Sequence, residues 1–135
     1  MHRLLGGLVL AAVLALLPRP VPGAELVMFE SSLCEWCETW HEEVGGVYGK
    51  TPEGAAAPLR RVDIDEPRPD ALRHIRGIVY TPTFVLMARG REVGRITGYP
   101  GESHFWGLLE QLIGRSFAAA GGCPGSGQSA GERLC

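Results

Sequence analysis

Cys34 and Cys37 enclose Glu35 and Trp36 in a Cys-x-x-Cys arrangement, the spacing at which one sulfur can bond covalently to a partner and its neighbour can release it. At the amino end of a helix, Cys34 would meet unpaired backbone N–H groups and the positive end of the helix dipole, which stabilise a thiolate. Cys37, about one turn along and more buried, would then attack the mixed disulfide. Cys34 is therefore expected to be the attacking thiol and Cys37 the resolving one. This chemistry needs no cofactor and no metal beyond the dithiol itself. Two other uses compete. A structural disulfide would close too small a loop to stabilise much. A zinc or copper site of Cys34, Cys37 and His41 has helical spacing but lacks a fourth ligand, and it would make the chain a non-enzymatic metal-binding module.

Charge around the pair bears on the direction of electron flow. A carboxylate near a thiolate raises its pKa, which leaves the dithiol less stable relative to its disulfide and favours electron donation. Glu35 lies between the cysteines, Glu30 and Glu38 are close by, and no cation falls between Cys34 and Cys37. A reductase is expected, with a disulfide oxidase or isomerase as the alternative that His41 would favour. The second local signal is Tyr80-Thr81-Pro82-Thr83, where a proline opens an apolar, β-prone run.

The elements that must hold these residues follow from periodicity. Glu25 to Glu30 reads as a buried strand, with the continuous run Leu26-Val27-Met28-Phe29 closed by Ser31 and Ser32. A helix is predicted from Cys34 to about Tyr48, with Ser32 and Glu35 in a capping-box pattern and Cys37, Trp40, Val44 and Val47 on its inner face. A Gly/Pro/Ala-rich loop spans Gly49 to Pro58, and Leu59 to Asp65 reads as a strand. A short helix is expected over Ala71 to Arg76, followed by a hairpin of Thr83 to Met87 and Arg91 to Thr97, and a final helix from Ser103 to Ile113. The fold class is α/β, a minimal β-α-β-α-β-β-α core.

The chain has 135 residues, enough for one small domain. Met1-His2-Arg3, the apolar run Leu4 to Leu17 and the small residues Gly23 and Ala24 have the order of a secretory signal peptide. The alternative is a retained anchor, against which Pro18-Arg19-Pro20 interrupts the run. The expected organisation is a signal peptide over 1–24, a domain over 25–115 and a flexible Gly/Ser/Ala-rich tail over 116–135. Loss of Arg3 and Arg19 takes the basic count from 13 to 11 against 15 acidic residues, a net charge of −4. With no basic block, no nucleic-acid partner is expected. All four cysteines would be exported. Cys123 and Cys135 could pair or relay electrons, but they sit in sequence that nothing would hold in place.

These motifs, in this order, resemble the thioredoxin superfamily: Cys34-x-x-Cys37, Val62-Asp63-Ile64-Asp65, Thr81-Pro82-Thr83-Phe84, Gly90-Arg91-Glu92-Val93 and Gly98. Met28-Phe29-Glu30, Pro58-Leu59-Arg60-Arg61, Tyr80-Thr81-Pro82 and Gly98-Tyr99-Pro100-Gly101 are similar more narrowly to the small periplasmic thioredoxins encoded with sulfur-oxidation (Sox) systems. The resemblance implies a thioredoxin-like fold with a mixed four-stranded sheet and a cis Thr81–Pro82 bond facing the cysteines. It implies a substrate surface of Trp36, Thr81, Pro82 and Gly98, with the backbone beside Pro82 pairing to an extended segment. It also implies a periplasmic location, a protein thiol or disulfide substrate such as the SoxYZ sulfur-carrier protein, and a membrane thiol donor of electrons. Two features depart from the family pattern. Met28 stands where thioredoxins carry a buried carboxylate, so Cys37 would lose its proton to another group, Glu30 or water. Glu35-Trp36 replaces the usual Gly-Pro.

Overall fold

A computed structural model describes residues 23–119. The expected signal peptide up to residue 22, the tail from residue 120, and Cys123 and Cys135 with it, lie outside the described residues.

The apolar run Leu26-Val27-Met28-Phe29 forms the middle of β1 (Ala24–Glu30), and all four side chains are buried. β1 pairs in parallel with β2 (Leu59–Asp63) and antiparallel with β3 (Thr83–Ala88), which pairs antiparallel with β4 (Arg91–Thr97). The sheet is mixed and four-stranded, in the order β2-β1-β3-β4. Because β1 is covered on both faces its hydrophobic pattern is continuous and does not alternate. One face packs Leu26, Met28, Phe84 and Leu86 against Trp40, Phe105 and Leu109 of the helices. The opposite face packs Val27, Phe29, Val62 and Val85 against Leu72 and Ile75. Arg89 and Gly90 link β3 to β4 with φ of 52° and 75°, the left-handed pair of a type I′ hairpin turn.

The first helix, α1 (Glu35–Trp40), passes directly into a π-helical turn (His41–Gly45) and a last helical turn, α2 (Gly46–Tyr48). The expected capping box does not form, because Cys34 itself is the cap and Ser32 lies exposed in the preceding turn. The π turn also rotates the inner face. Tyr48 is buried and Val47 exposed, the reverse of the expected pattern, and Tyr48 donates its hydroxyl to the Ala57 carbonyl at 2.7 Å.

Three further local expectations are corrected. The loop over 49–58 contains a short helix, α3 (Pro52–Ala56), capped by the Thr51 hydroxyl, which accepts the Gly54 N–H at 3.1 Å. The helix expected over 71–76 is only a 3-10 turn, Asp70–Leu72, because the Ile75 carbonyl is bonded by the Arg68 guanidinium at 2.6 Å and Gly77 turns the chain with φ of 69°. The final helix, α4 (Glu102–Ala119), runs past the expected domain end at residue 115, and Ser116 is buried, with its hydroxyl donating to the Ile113 carbonyl at 2.7 Å. Ser116 continues the buried positions Phe105, Leu109 and Leu112 at helical spacing, and Ala118 and Ala119 favour the last turn by propensity. Among the described residues no helix is long and apolar enough to cross a membrane.

Candidate active site

From the end of β1 the chain turns through Ser31, Ser32 and Leu33, held by a 3.1 Å bond from the Cys34 N–H to the Ser31 carbonyl. Cys34 adopts an extended conformation (φ −94°, ψ 99°) at the cap of α1, and its sulfur accepts the Cys37 N–H at 3.1 Å. The same N–H also bonds the Cys34 carbonyl at 3.1 Å, so at the helix start one donor is shared between that carbonyl and the sulfur. Cys34 and Cys37 are joined by a disulfide with a Cα–Cα separation of 5.2 Å. In this oxidised form Cys34 is 8% and Cys37 2% exposed.

Strand register brings the second motif to the same end of the sheet. Phe29 pairs with Thr83 and Thr83 with Thr97, so the residues just beyond, Glu30, Pro82 and Gly98, lie in one row. The Thr81–Pro82 bond is cis, Pro82 is buried, and its carbonyl accepts the Gly98 N–H at 2.7 Å. Among the described residues no backbone hydrogen bond engages Thr81, so its N–H and C=O are unpaired within the chain. A shallow cleft of about 490 Å³ brings Trp36 together with Thr81 and Gly98, and Tyr80, Tyr99 and Pro100 complete its walls.

Two hydrogen bonds brace this region. The Tyr99 hydroxyl donates to Glu43 at 2.6 Å, tying the loop after β4 to the π turn. Burial, and then the Glu43 carboxylate, push the Tyr99 phenol upward, so it stays a neutral donor. Sequence reading missed this bond because its partners are 56 residues apart. Glu30 is the second brace: Oε1 accepts from Arg61 Nε at 2.5 Å and Oε2 lies 2.7 Å from His41 Nε2. Burial pushes the Glu30 carboxyl up, but the Arg61 and His41 hydrogen bonds outweigh it and hold the group below the usual carboxylate range.

His41 is therefore turned to Glu30. The trio Cys34, Cys37 and His41 is not gathered as a donor set, and among the described residues no group of three or more His, Cys, Asp or Glu is placed to hold a metal ion. Met28 is fully buried in the cluster that includes both cysteines, so apolar contact fills the place of the family's buried carboxylate.

A family model described as a thioredoxin-like domain matches residues 25–113. The structure is similar to the periplasmic thioredoxin SoxS of Paracoccus pantotrophus in its reduced form, with 45% identity, a TM-score of 0.65, and coverage of 69% of this chain and 98% of that one. It also resembles the thioredoxin of Malassezia sympodialis, at 26% identity and a TM-score of 0.50 over 69% of this chain and 80% of that one. Fasciola hepatica thioredoxin, at 22% identity and a TM-score of 0.54 over 76% of this chain and 93% of that one, shares the fold. No curated protein sequence matches the chain.

Proposed function

The chain belongs to the thioredoxin-like family and is a thiol-disulfide oxidoreductase, and from that premise we propose that it is an exported, periplasmic reductase of protein disulfides acting through Cys34. The observation that carries the reading is the Cys34 sulfur at the helix cap, 3.1 Å from the Cys37 N–H and within bonding reach of Cys37 itself. In the reduced chain the Cys34 thiolate attacks one sulfur of the partner's disulfide, whose other sulfur leaves as a thiolate. The Cys37 thiolate then attacks the Cys34 sulfur, closing the intrachain disulfide and freeing the partner's remaining sulfur. Two electrons pass to the partner, and its thiolates take protons from water. Glu30, held anionic by Arg61 and His41, is a weak base, so water takes the Cys37 proton.

Reductase direction follows from Glu35 and Glu38 in the first helical turn, which oppose the thiolate that the helix end favours. Equilibration with glutathione is expected to give a potential below about −230 mV, whereas a value near about −120 mV, that of a strong oxidant, contradicts the direction. Export is supported by the apolar run Leu4 to Leu17 and by the periplasmic relative. The motif resemblance to the Sox-associated thioredoxins extends the proposal to the SoxYZ carrier cysteine as substrate and a membrane thiol protein as electron donor. In a trapping experiment Cys37→Ser protein accumulates a mixed disulfide with the carrier and Cys34→Ser protein does not. Equal trapping by both contradicts the assigned roles.

A further inference from the structure

Around the dithiol the surface is apolar at its centre and acidic at its edge. Leu33, Trp36, Val79 and Tyr80 are 94%, 61%, 76% and 67% exposed, a concentration of large apolar side chains that marks a contact surface. The adjoining cleft has no charged side chain in its walls. Glu35 and Glu38 are exposed on the first turn of α1. Asp65, also exposed, accepts the Ser31 hydroxyl at 3.1 Å, beside the carbonyl that takes the Cys34 N–H. Among the described residues none of these three carboxylates has a cationic partner. Three nearby cations are committed: Arg61 bonds Glu30, Arg68 bonds the Ile75 carbonyl and covers the Phe29 ring, and Arg73 bonds Asp70; Arg76 is exposed and has no acidic partner among the described residues.

We propose that the partner presents its disulfide on an extended segment with an apolar side chain next to the reacting cysteine and a lysine or arginine within a few residues of it. The cleft takes the apolar side chain, and Glu35, Glu38 and Asp65 take the cation. Charges at a contact edge act on association rate and on discrimination against like-charged partners, and both fade with salt. The proposal rests on the exchange reading above and specifies the residues that flank the reacting cysteine of the substrate.

Three peptides test it, each with one cysteine in mixed disulfide with 2-mercaptoethanol and flanked by Lys and Leu, by Glu and Leu, or by Lys and Ser. The full reduced chain is the reductant, and each rate is divided by that of dithiothreitol on the same peptide, which removes differences in leaving-group reactivity. The Lys/Leu peptide is expected to exceed the Glu/Leu peptide by about tenfold at low ionic strength and to exceed the Lys/Ser peptide as well. The charge ratio should shrink at high salt and in the Glu35→Gln/Glu38→Gln variant. Equal rates for the Lys and Glu peptides, a ratio indifferent to salt, or a ratio retained in the double variant overturns the proposal. Rates that fall as the chain is concentrated, with dimers in sedimentation, also overturn it by showing a second copy on this face. If hydroxyethyl disulfide is reduced while the peptides are treated alike, only the partner proposal fails. If nothing is reduced, the exchange reading fails with it.

Discussion

Glu30 precedes Cys34 by four residues, and both of its oxygens are occupied, by Arg61 from β2 and by His41 from the helical run. One carboxylate thus joins β1, β2 and the helical layer directly behind the dithiol. Its pKa lies below the ordinary glutamate value, so ionised Glu30 stabilises the fold above that value, near 4.5, and the stabilisation is lost as pH falls through the lower folded value. Glu30→Gln is expected to cost about 1–2 kcal/mol at neutral pH, since Arg61 is largely exposed and its share is screened. Urea unfolding of both proteins should show the gap closing as pH falls below the ordinary glutamate value and through the lower folded one; a gap of constant size would show that the carboxylate charge is not what stabilises. The Cys-x-x-Cys pair was legible in the sequence because its chemistry is local. This network was not, since Arg61 is 31 residues from Glu30 and only the parallel β1–β2 register makes them neighbours.

At the scale of elements, the helical run from α1 to α2 positions the dithiol at one end, and its other end depends on a close approach by α3. A Cβ on Gly54 would collide with the Tyr48 backbone carbonyl, whereas Gly46 faces open space. Gly54→Ala should therefore cost about 3 kcal/mol through overpacking, while Gly46→Ala should leave the melting temperature unchanged or raise it. Thermal melts of the two variants check this, and a Gly54→Ala protein as stable as the parent would contradict the packing described. The strands and hairpin were legible because their apolar runs are bounded by turn residues, and the start of α1 because its inward spacing is regular. α3 was hidden by Gly, Pro and Ala, a composition shared by loops and by short helices with a Pro in the first turn. The π turn left no sequence signal, because it moves the inner face by one residue from Val47 to Tyr48 and both are apolar.

Across the whole molecule, the row Glu30, Pro82 and Gly98 gathers at one end of the sheet what the chain separates by dozens of residues, and the mixed β2-β1-β3-β4 order makes that possible. At the opposite end Arg89, Arg91 and Arg115 line, together with Glu92, a cleft of about 530 Å³ where the hairpin turn meets the end of α4. At the redox end the exposed carboxylates Glu35, Glu38 and Asp65 lie beside the apolar surface, an arrangement that favours approach of a basic segment to the dithiol. The thioredoxin-like architecture was legible from motif order, although the length of α4 was not, because burial of Ser116 depends on the sheet beneath it and not on its own polarity. In the proposed mechanism Cys34 is the sulfur made reactive by the helix start and Cys37 the one held back. Brief iodoacetamide treatment of the reduced chain near neutral pH, with the modified residue mapped by mass spectrometry, tests it directly. Alkylation at Cys34 with Cys37 protected is expected, and preferential alkylation of Cys37 would overturn the assignment of roles.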